Sequence, residues 1–319
     1  MDTKLFDRSR LILKPLTART NDMDLSYIKN LESVTNIPSE IRLIAERIIK
    51  AKKNSSAVVF MMGAHVLRSG VQLYIIDLLE KGFINCIAMN GAGIIHDYEL
   101  ARIGATTESV ARYIKTGEFG MWKETGNLND IINNAFQENP SIGLGSAIGQ
   151  AIIKEKLPYE NISLLATARR LKIPITVHVG IGHDIIHQYP NCNGAATGAL
   201  SYNDFLVFAR VIENLENGVA MNFGSSVMAP EVYLKALSMA RNLAQQRGQL
   251  IQHFSTLVCD LHDLPKNYKI ESPSQKKGYY FRPWKTMLIR TVADGGESFY
   301  IKGKHAETIP ALWTALNKL

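Results

Sequence analysis

The chain has 319 residues, 36 Lys and Arg against 29 Asp and Glu, a formal net charge of +7 and 46% apolar residues, with a mean hydropathy of −0.04. This composition excludes a disordered tail, a collagen-like repeat and a disulfide scaffold, and it suffices for one large α/β core. The three scattered cysteines, Cys86, Cys192 and Cys259, form neither a disulfide framework nor a four-ligand metal site. No basic run exceeds two residues, so the isoelectric point of about 9.2 reads as a basic rim rather than a nucleic-acid surface. No stretch approaches the roughly 20 apolar residues of a membrane span. The first residues, MDTKLFDRSRLILKPL, carry no signal-peptide pattern, and a cytoplasmic setting is expected.

In chain order, residues 1–36 read as an irregular N-terminal arm and 37–319 as one α/β domain. Ile37-Pro38-Ser39-Glu40 opens a helix carried by Ile41, Leu43, Ile44, Ile48 and Ile49. Ala57–Met62, AVVFMM, is an apolar run of strand length; Leu67–Lys81 has helical spacing and stops at Gly82. Ile84–Met89, INCIAM, is a second strand, so the three make a βαβ unit in a sheet buried on both faces. Helices are expected over Ser146–Glu155 and Ile162–Leu171, then a strand over Ile173–Val179 and a helix over Phe205–Asn214. Val219–Phe223 reads as a strand, Glu231–Ala244 as a helix, Phe254–Cys259 and Met287–Val292 as strands, and Ile309–Leu316 as a helix. This alternation predicts a doubly wound, mostly parallel sheet with helices on both faces.

In such a sheet ligands lie at the carboxyl ends of the strands. The turns there are Gly63-Ala64-His65, Asn90-Gly91-Ala92-Gly93, Gly180–Asp184 and Gly224-Ser225-Ser226. Small residues at four strand ends favour a nucleotide-like ligand, although neither a GxGxxG fingerprint nor a P-loop is present. His183 and His187, four residues apart, have the spacing of a zinc pair. Asp184 stands where HExxH requires Glu, however, and no third ligand is evident, so capping or supporting roles are expected and no metal. Lys285, in Tyr279-Tyr280-Phe281-Arg282-Pro283-Trp284-Lys285, lies among aromatic residues that can desolvate an amine or hold a cationic one. By itself this also describes a surface lysine packed on tryptophan.

Taken together, the runs GAHVLRSGVQLYIIDLLEKGFINCIAMNGAGIIHDYE, IPITVHVGIGHDIIHQ, VAMNFGSSVMAPEVYLKAL and YYFRPWKTMLIRTVADGGESFY resemble the deoxyhypusine synthase family, in its bacterial deoxyhypusine synthase-like branch, over about residues 35–317. The resemblance implies a Rossmann-like NAD-binding domain and a homotetramer with active sites at dimer interfaces, the arm covering a neighbour's site. It implies an alkyl-group transferase that oxidises a polyamine such as spermidine, holds the aminobutyl group on a lysine and passes it to an amine. That acceptor would be a small amine, giving a homospermidine-type product, or a protein lysine; neither membrane nor nucleic acid is an expected partner.

Carried over by position, the first NAD-binding turn falls on Gly63, Ala64, His65, Arg68 and Ser69. The second falls on Asn90, Gly91 and Ala92, with His96 at the ribose-binding acid and Asp97 beside it. Asp184, Gly224, Ser225, Thr256 and Asp260 complete the implied cofactor set, and Asp263, Trp284 and Lys285 the catalytic one, with Lys285 as imine former. Where the family has Pro-Lys-His-His, this chain has Met228-Ala229-Pro230-Glu231, which leaves His183, His187 or His262 as proton carrier. Asp184, Asp260, Asp263 and Glu231 are the carboxylates for a cationic amine. NADP stays open beside NAD, and the alternative function is an NAD-binding protein without transferase activity.

Overall fold

The computed structural model describes residues 4–271 and 277–319. The helix α1 (Ser39–Lys53) leads into strand β1 (Val58–Met62), helix α2 (Gln72–Glu80), strand β2 (Cys86–Asn90) and helix α3 (Gly91–Ile103). Helices α4 (Lys123–Glu138), α5 (Leu144–Glu155) and α6 (Leu164–Leu171) precede β3 (Ile175–His178) and the long α7 (Gly194–Ile212). Then come β4 (Val219–Phe223), α8 (Met228–Gln246), β5 (Ser255–Asp260), β6 (Glu297–Lys302) and α9 (His305–Lys318). The six strands of the main sheet are all parallel, in the order β3-β2-β1-β4-β5-β6. This is the 3-2-1-4-5-6 order of the Rossmann architecture.

The strands read as unbroken apolar runs because both faces of the sheet are covered. Val58, Phe60 and Met62 of β1 face one core with α1, α2 and α9. Val59 and Met61 face the other, with Phe208 of α7 and Tyr233 of α8. The other strands alternate in the same way: Ile87 and Met89 against Cys86 and Ala88 in β2, and Leu257 and Cys259 against Val258 in β5. No helix among the described residues is long and apolar enough to cross a membrane.

Several elements differ from the sequence expectation. Leu67–Lys81 is not one helix: a single turn, His65–Arg68, ends at Gly70, whose φ of +70° breaks the helix before α2. Most of the expected strand Met287–Val292 is helical, Met287–Arg290 belonging to a wide helical segment at Trp284–Arg290, and the sixth strand is β6 instead. α3 was hidden by its glycines: the Asn90 side chain accepts from Gly93 N at 3.2 Å and starts the helix inside Gly91-Ala92-Gly93. Residues 1–3 of the arm lie outside the described residues; Leu5, Phe6 and Ile12 are exposed, and other arm residues pack on the domain. Lys14 exchanges backbone hydrogen bonds with Met121 and Lys123, Leu16 packs with Tyr113 and Trp122, and Arg19 reaches Glu99 of α3.

Two buried carboxylates hold the helices to this frame. Asp97 of α3 accepts from the Ser163 hydroxyl and from Leu164 N and Leu165 N, capping α6. Asp204 of α7 accepts from Gly145 N at 2.9 Å and Val177 N at 2.8 Å, tying α5 and β3 to α7. Burial raises the Asp204 carboxyl to about 7 against the pull of those amides. A carboxyl raised on folding keeps its proton in the native state after the unfolded chain has lost it, so its contribution to stability falls as pH rises from about 4 to about 7. Asp204→Asn retains an acceptor oxygen and removes the titration. Urea unfolding should therefore show wild-type stability dropping between pH 4.5 and 7.5, and the variant dropping less; equal pH dependence would refute the assignment.

Candidate functional site

The connections after β1 and β2 run on one side of the sheet, and α7 and α8, flanking β4, lie on the other. At this switch between β1 and β4 the two strand-end turns meet in backbone contact. Gly63 N donates to Phe223 O at 3.0 Å, and a Cβ on Gly63 would stand 2.6 Å from the Gly224 carbonyl oxygen, so only glycine fits. Above them opens a cavity of about 620 Å³ bounded by the ends of β1, β2, β3 and β4 and the start of α8. Its size is that of a small-molecule site.

The structure brings Gly63, Ala64, His65, Asn90, Gly91, Ala92, His96, Asp184, Gly224 and Ser225 together in this lining, with Arg68, His183 and Glu231. It does not bring the others there. Thr256 lies inside the sheet and donates its hydroxyl to Met287 O at 2.8 Å. Asp260 accepts from Leu261 N and His262 N past the end of β5. Asp263 is exposed and paired with Lys302 at 2.6 Å. The Trp284 indole donates to the Tyr268 carbonyl. Lys285 is buried, its ammonium 3.8 Å from the Tyr279 ring centroid. Glu231 links the two regions: it lines the cavity and is held below the usual carboxylate range first by its Lys235 bond and then by the Arg282 and Lys285 charges. His262 is exposed and tilted on Phe281. His187 Nδ1 accepts from Gly182 N and Asp184 N, both at 3.2 Å, and so shapes the 182–188 loop.

Asp184 lies over the start of α3, near enough to the Ala92 amide to feel its pull. A Cβ on Gly91 would stand 2.0 Å from its Oδ2, so glycine is what admits the carboxylate to the helix N-terminus. Burial raises Asp184 to about 6, against the pull of His183 and of that amide. It is therefore ionised at neutral pH and able to take a proton.

Two histidines have fixed tautomers. The Thr106 hydroxyl donates its one hydrogen to Glu99 Oε2 at 2.7 Å, so at 2.8 Å from His96 Nδ1 it accepts, and His96 carries its hydrogen on Nδ1. Thr176 likewise donates to Ile87 O at 3.2 Å and accepts from His178 Nε2 at 3.0 Å. Burial lowers both imidazoles to about 4, so they are neutral, with lone pairs on His96 Nε2 and His178 Nδ1. Glu99, the anchor of the first relay, takes both terminal nitrogens of Arg19 at 2.8 Å. Burial would raise its carboxyl, but Arg19, Thr125 and Thr106 draw it below its ordinary value. His178 escaped the sequence reading because the expected strand ran one residue past the true end of β3, of which His178 is the last residue.

A second cavity, of about 240 Å³, shares Arg68, Ala92, His96, His183 and Asp184 with the first. Its far wall is the 107–119 segment. Thr107, β-branched, has φ +69°, a strained conformation of the kind that persists where the surroundings enforce it. Glu108 is fixed by Gly120 N and the Trp122 indole, both at 2.9 Å.

No protein-family model matches the chain, and no curated protein matches it in sequence. Solved structures match in fold. Unliganded AgrE is 13% identical over 91% of this chain and 35% of its own, with a TM-score of 0.54. Its ternary complex with ornithine and NAD+ is 12% identical, with a TM-score of 0.50. Apo ArgZ, an arginine dihydrolase from the ornithine–ammonia cycle in cyanobacteria, is 13% identical over 90% of this chain and 34% of its own, with a TM-score of 0.50. This chain thus spans about a third of the length of those proteins. A protein provisionally named deoxyhypusine synthase, from Entamoeba histolytica, is 11% identical over 88% of each chain, with a TM-score of 0.47. What the chain shares with AgrE and ArgZ at these identities is the Rossmann-like fold.

Gly91→Ala drives a methyl into the Asp184 carboxylate. Carboxyl NMR should place Asp184 at about 6 in the wild type and closer to its ordinary value in the variant, because the displaced group regains water. An Asp184 that titrates normally in the wild type would contradict the geometry.

Proposed function

We propose that the chain is an NAD-dependent enzyme acting on an amine. The observation that carries this reading is the 620 Å³ cavity across the β1/β4 switch point, floored by the Gly63 and Gly224 turns. The residues fit the cofactor. Arg68 supplies positive charge for phosphate, and His178 Nδ1 is an acceptor for a hydroxyl or amide. NAD, when bound, supplies reversible acceptance of a hydride from the carbon beside the amine nitrogen, the accompanying proton going to a base of the cavity. Asp184, ionised and desolvated, is the base best placed for it. AgrE, which shares the fold, has been solved with ornithine and NAD+, an amine and this cofactor together.

The finer reading is transfer of an aminobutyl group from a polyamine such as spermidine, with Lys285 as carrier. Lys285 would displace the departing diamine at the oxidised carbon, one C–N bond forming as the other breaks. The acceptor amine would displace Lys285 in the same way before the hydride returns, leaving no net oxidation. The second reading, NAD binding without transfer, is favoured by one observation: Lys285 lies outside the cavity lining, with its ammonium on Tyr279.

Incubation of the full chain with NAD and spermidine, borohydride trapping and intact mass analysis separates the two. Transfer predicts an aminobutyl adduct mapped to Lys285 and absent from Lys285→Ala. NADH binding measured by fluorescence without any adduct, across several polyamines, selects the second reading. No NADH binding at all would overturn both.

A further inference from the structure

The smaller cavity enters the reading above only through Arg68 and Asp184, which line both cavities, yet its wall has a definite chemistry of its own. Three carboxylates, Glu99, Glu108 and Asp184, face two guanidinium groups, Arg19 and Arg68. Arg19 and Glu99 satisfy each other, so Glu108 and Asp184 outweigh Arg68, and the wall is net negative in a chain of formal charge +7. Glu108 is buried and immobilised by its two donors. His96 stands in the wall common to both cavities. Its Nδ1 is committed to Thr106, so Nε2, which has no partner among the described residues, can only accept. Val110 and Phe119 give the same cavity an apolar side. Acceptors and negative charge at one end with apolar surface beside them match an ammonium on a short alkyl stem, which offers three donors and no acceptor.

We infer that the smaller cavity is a subsite for a primary alkylamine. Its N–H groups are taken by His96 Nε2 and the Glu108 and Asp184 carboxylates, and its stem lies against Val110 and Phe119. The amine would thereby sit at the wall through which this cavity adjoins the larger one. That role rests on the NAD reading of the larger cavity; the binding itself does not. Thr106 is a positioning residue, acting by fixing the His96 tautomer.

The test uses 1,4-diaminobutane as probe and the full chain labelled with 15N at histidine, with and without NAD. The wild-type spectrum should show His96 as the neutral Nδ1–H tautomer, and saturating diamine should move its Nε2 resonance upfield as that lone pair accepts a hydrogen bond. Glu108→Gln, which keeps an acceptor and loses the charge, should weaken diamine binding by about tenfold or more and leave NADH affinity unchanged. Thr106→Val should release the tautomer and weaken diamine binding. An unmoved Nε2 resonance, an unchanged affinity in Glu108→Gln, or acetate binding in place of the diamine would overturn the inference. Where Glu108→Gln fails to fold, the wild-type resonance decides. Diamine binding without NADH binding would leave the subsite standing and remove the NAD reading; the reverse would remove only the subsite.

Discussion

A parallel sheet buried on both faces cannot place all its connections on one side, and the rest of this structure depends on where the chain changes sides. The change falls between β1 and β4, the middle pair of the order β3-β2-β1-β4-β5-β6. The helices on either side of that line diverge, and the strand ends between them are left without a covering helix. The Gly63 turn rests on the Gly224 turn so closely that no side chain fits between them. The cavity is a consequence of topology, and its floor is backbone because nothing larger would let β1 and β4 stay paired.

The walls are made of residues whose hydrogen-bonding choices have been removed. Arg19 and Glu99 form a buried ion pair of the kind whose desolvation cost rivals its attraction. Its evident product is specificity. Glu99 takes the Thr106 hydrogen, Thr106 must then accept from His96, and the His96 lone pair is assigned without any choice of protonation state. The same pair anchors the N-terminal arm, so the segment that reads as irregular in the sequence sets the chemistry of a cavity wall. His178 is fixed by a shorter version of the same device. Preorganised acceptors of this sort favour a ligand that brings its own N–H or O–H groups, since they need no rearrangement on binding.

The strands around the switch point were legible because each is buried on both faces, which turns an amphipathic pattern into an unbroken apolar run such as AVVFMM. The strand-end turns followed from the strands, and with them Gly63, Asn90, Gly91 and Gly224. Other features were not legible, for physical reasons. The run around Met287 is apolar because Trp284, Met287 and Leu288 fill the second core, and a short apolar run does not distinguish a strand from a buried helical segment. Glu99, Thr106 and Glu108 carry no local signal. Their meaning arises from partners such as Arg19, eighty positions from Glu99. Lys285 stood out among aromatic residues, and the structure sets its ammonium on the Tyr279 ring, outside the cavity lining.

The central claim is that a dinucleotide binds across the β1/β4 switch point. Hydrogen–deuterium exchange of the full chain with and without NAD tests it without reference to turnover. The account predicts slowed exchange at residues 63–68, 90–93 and 224–228, three segments far apart in sequence that meet only at this cavity. Unchanged exchange at saturating NAD, or protection confined to segments elsewhere in the fold, would contradict it.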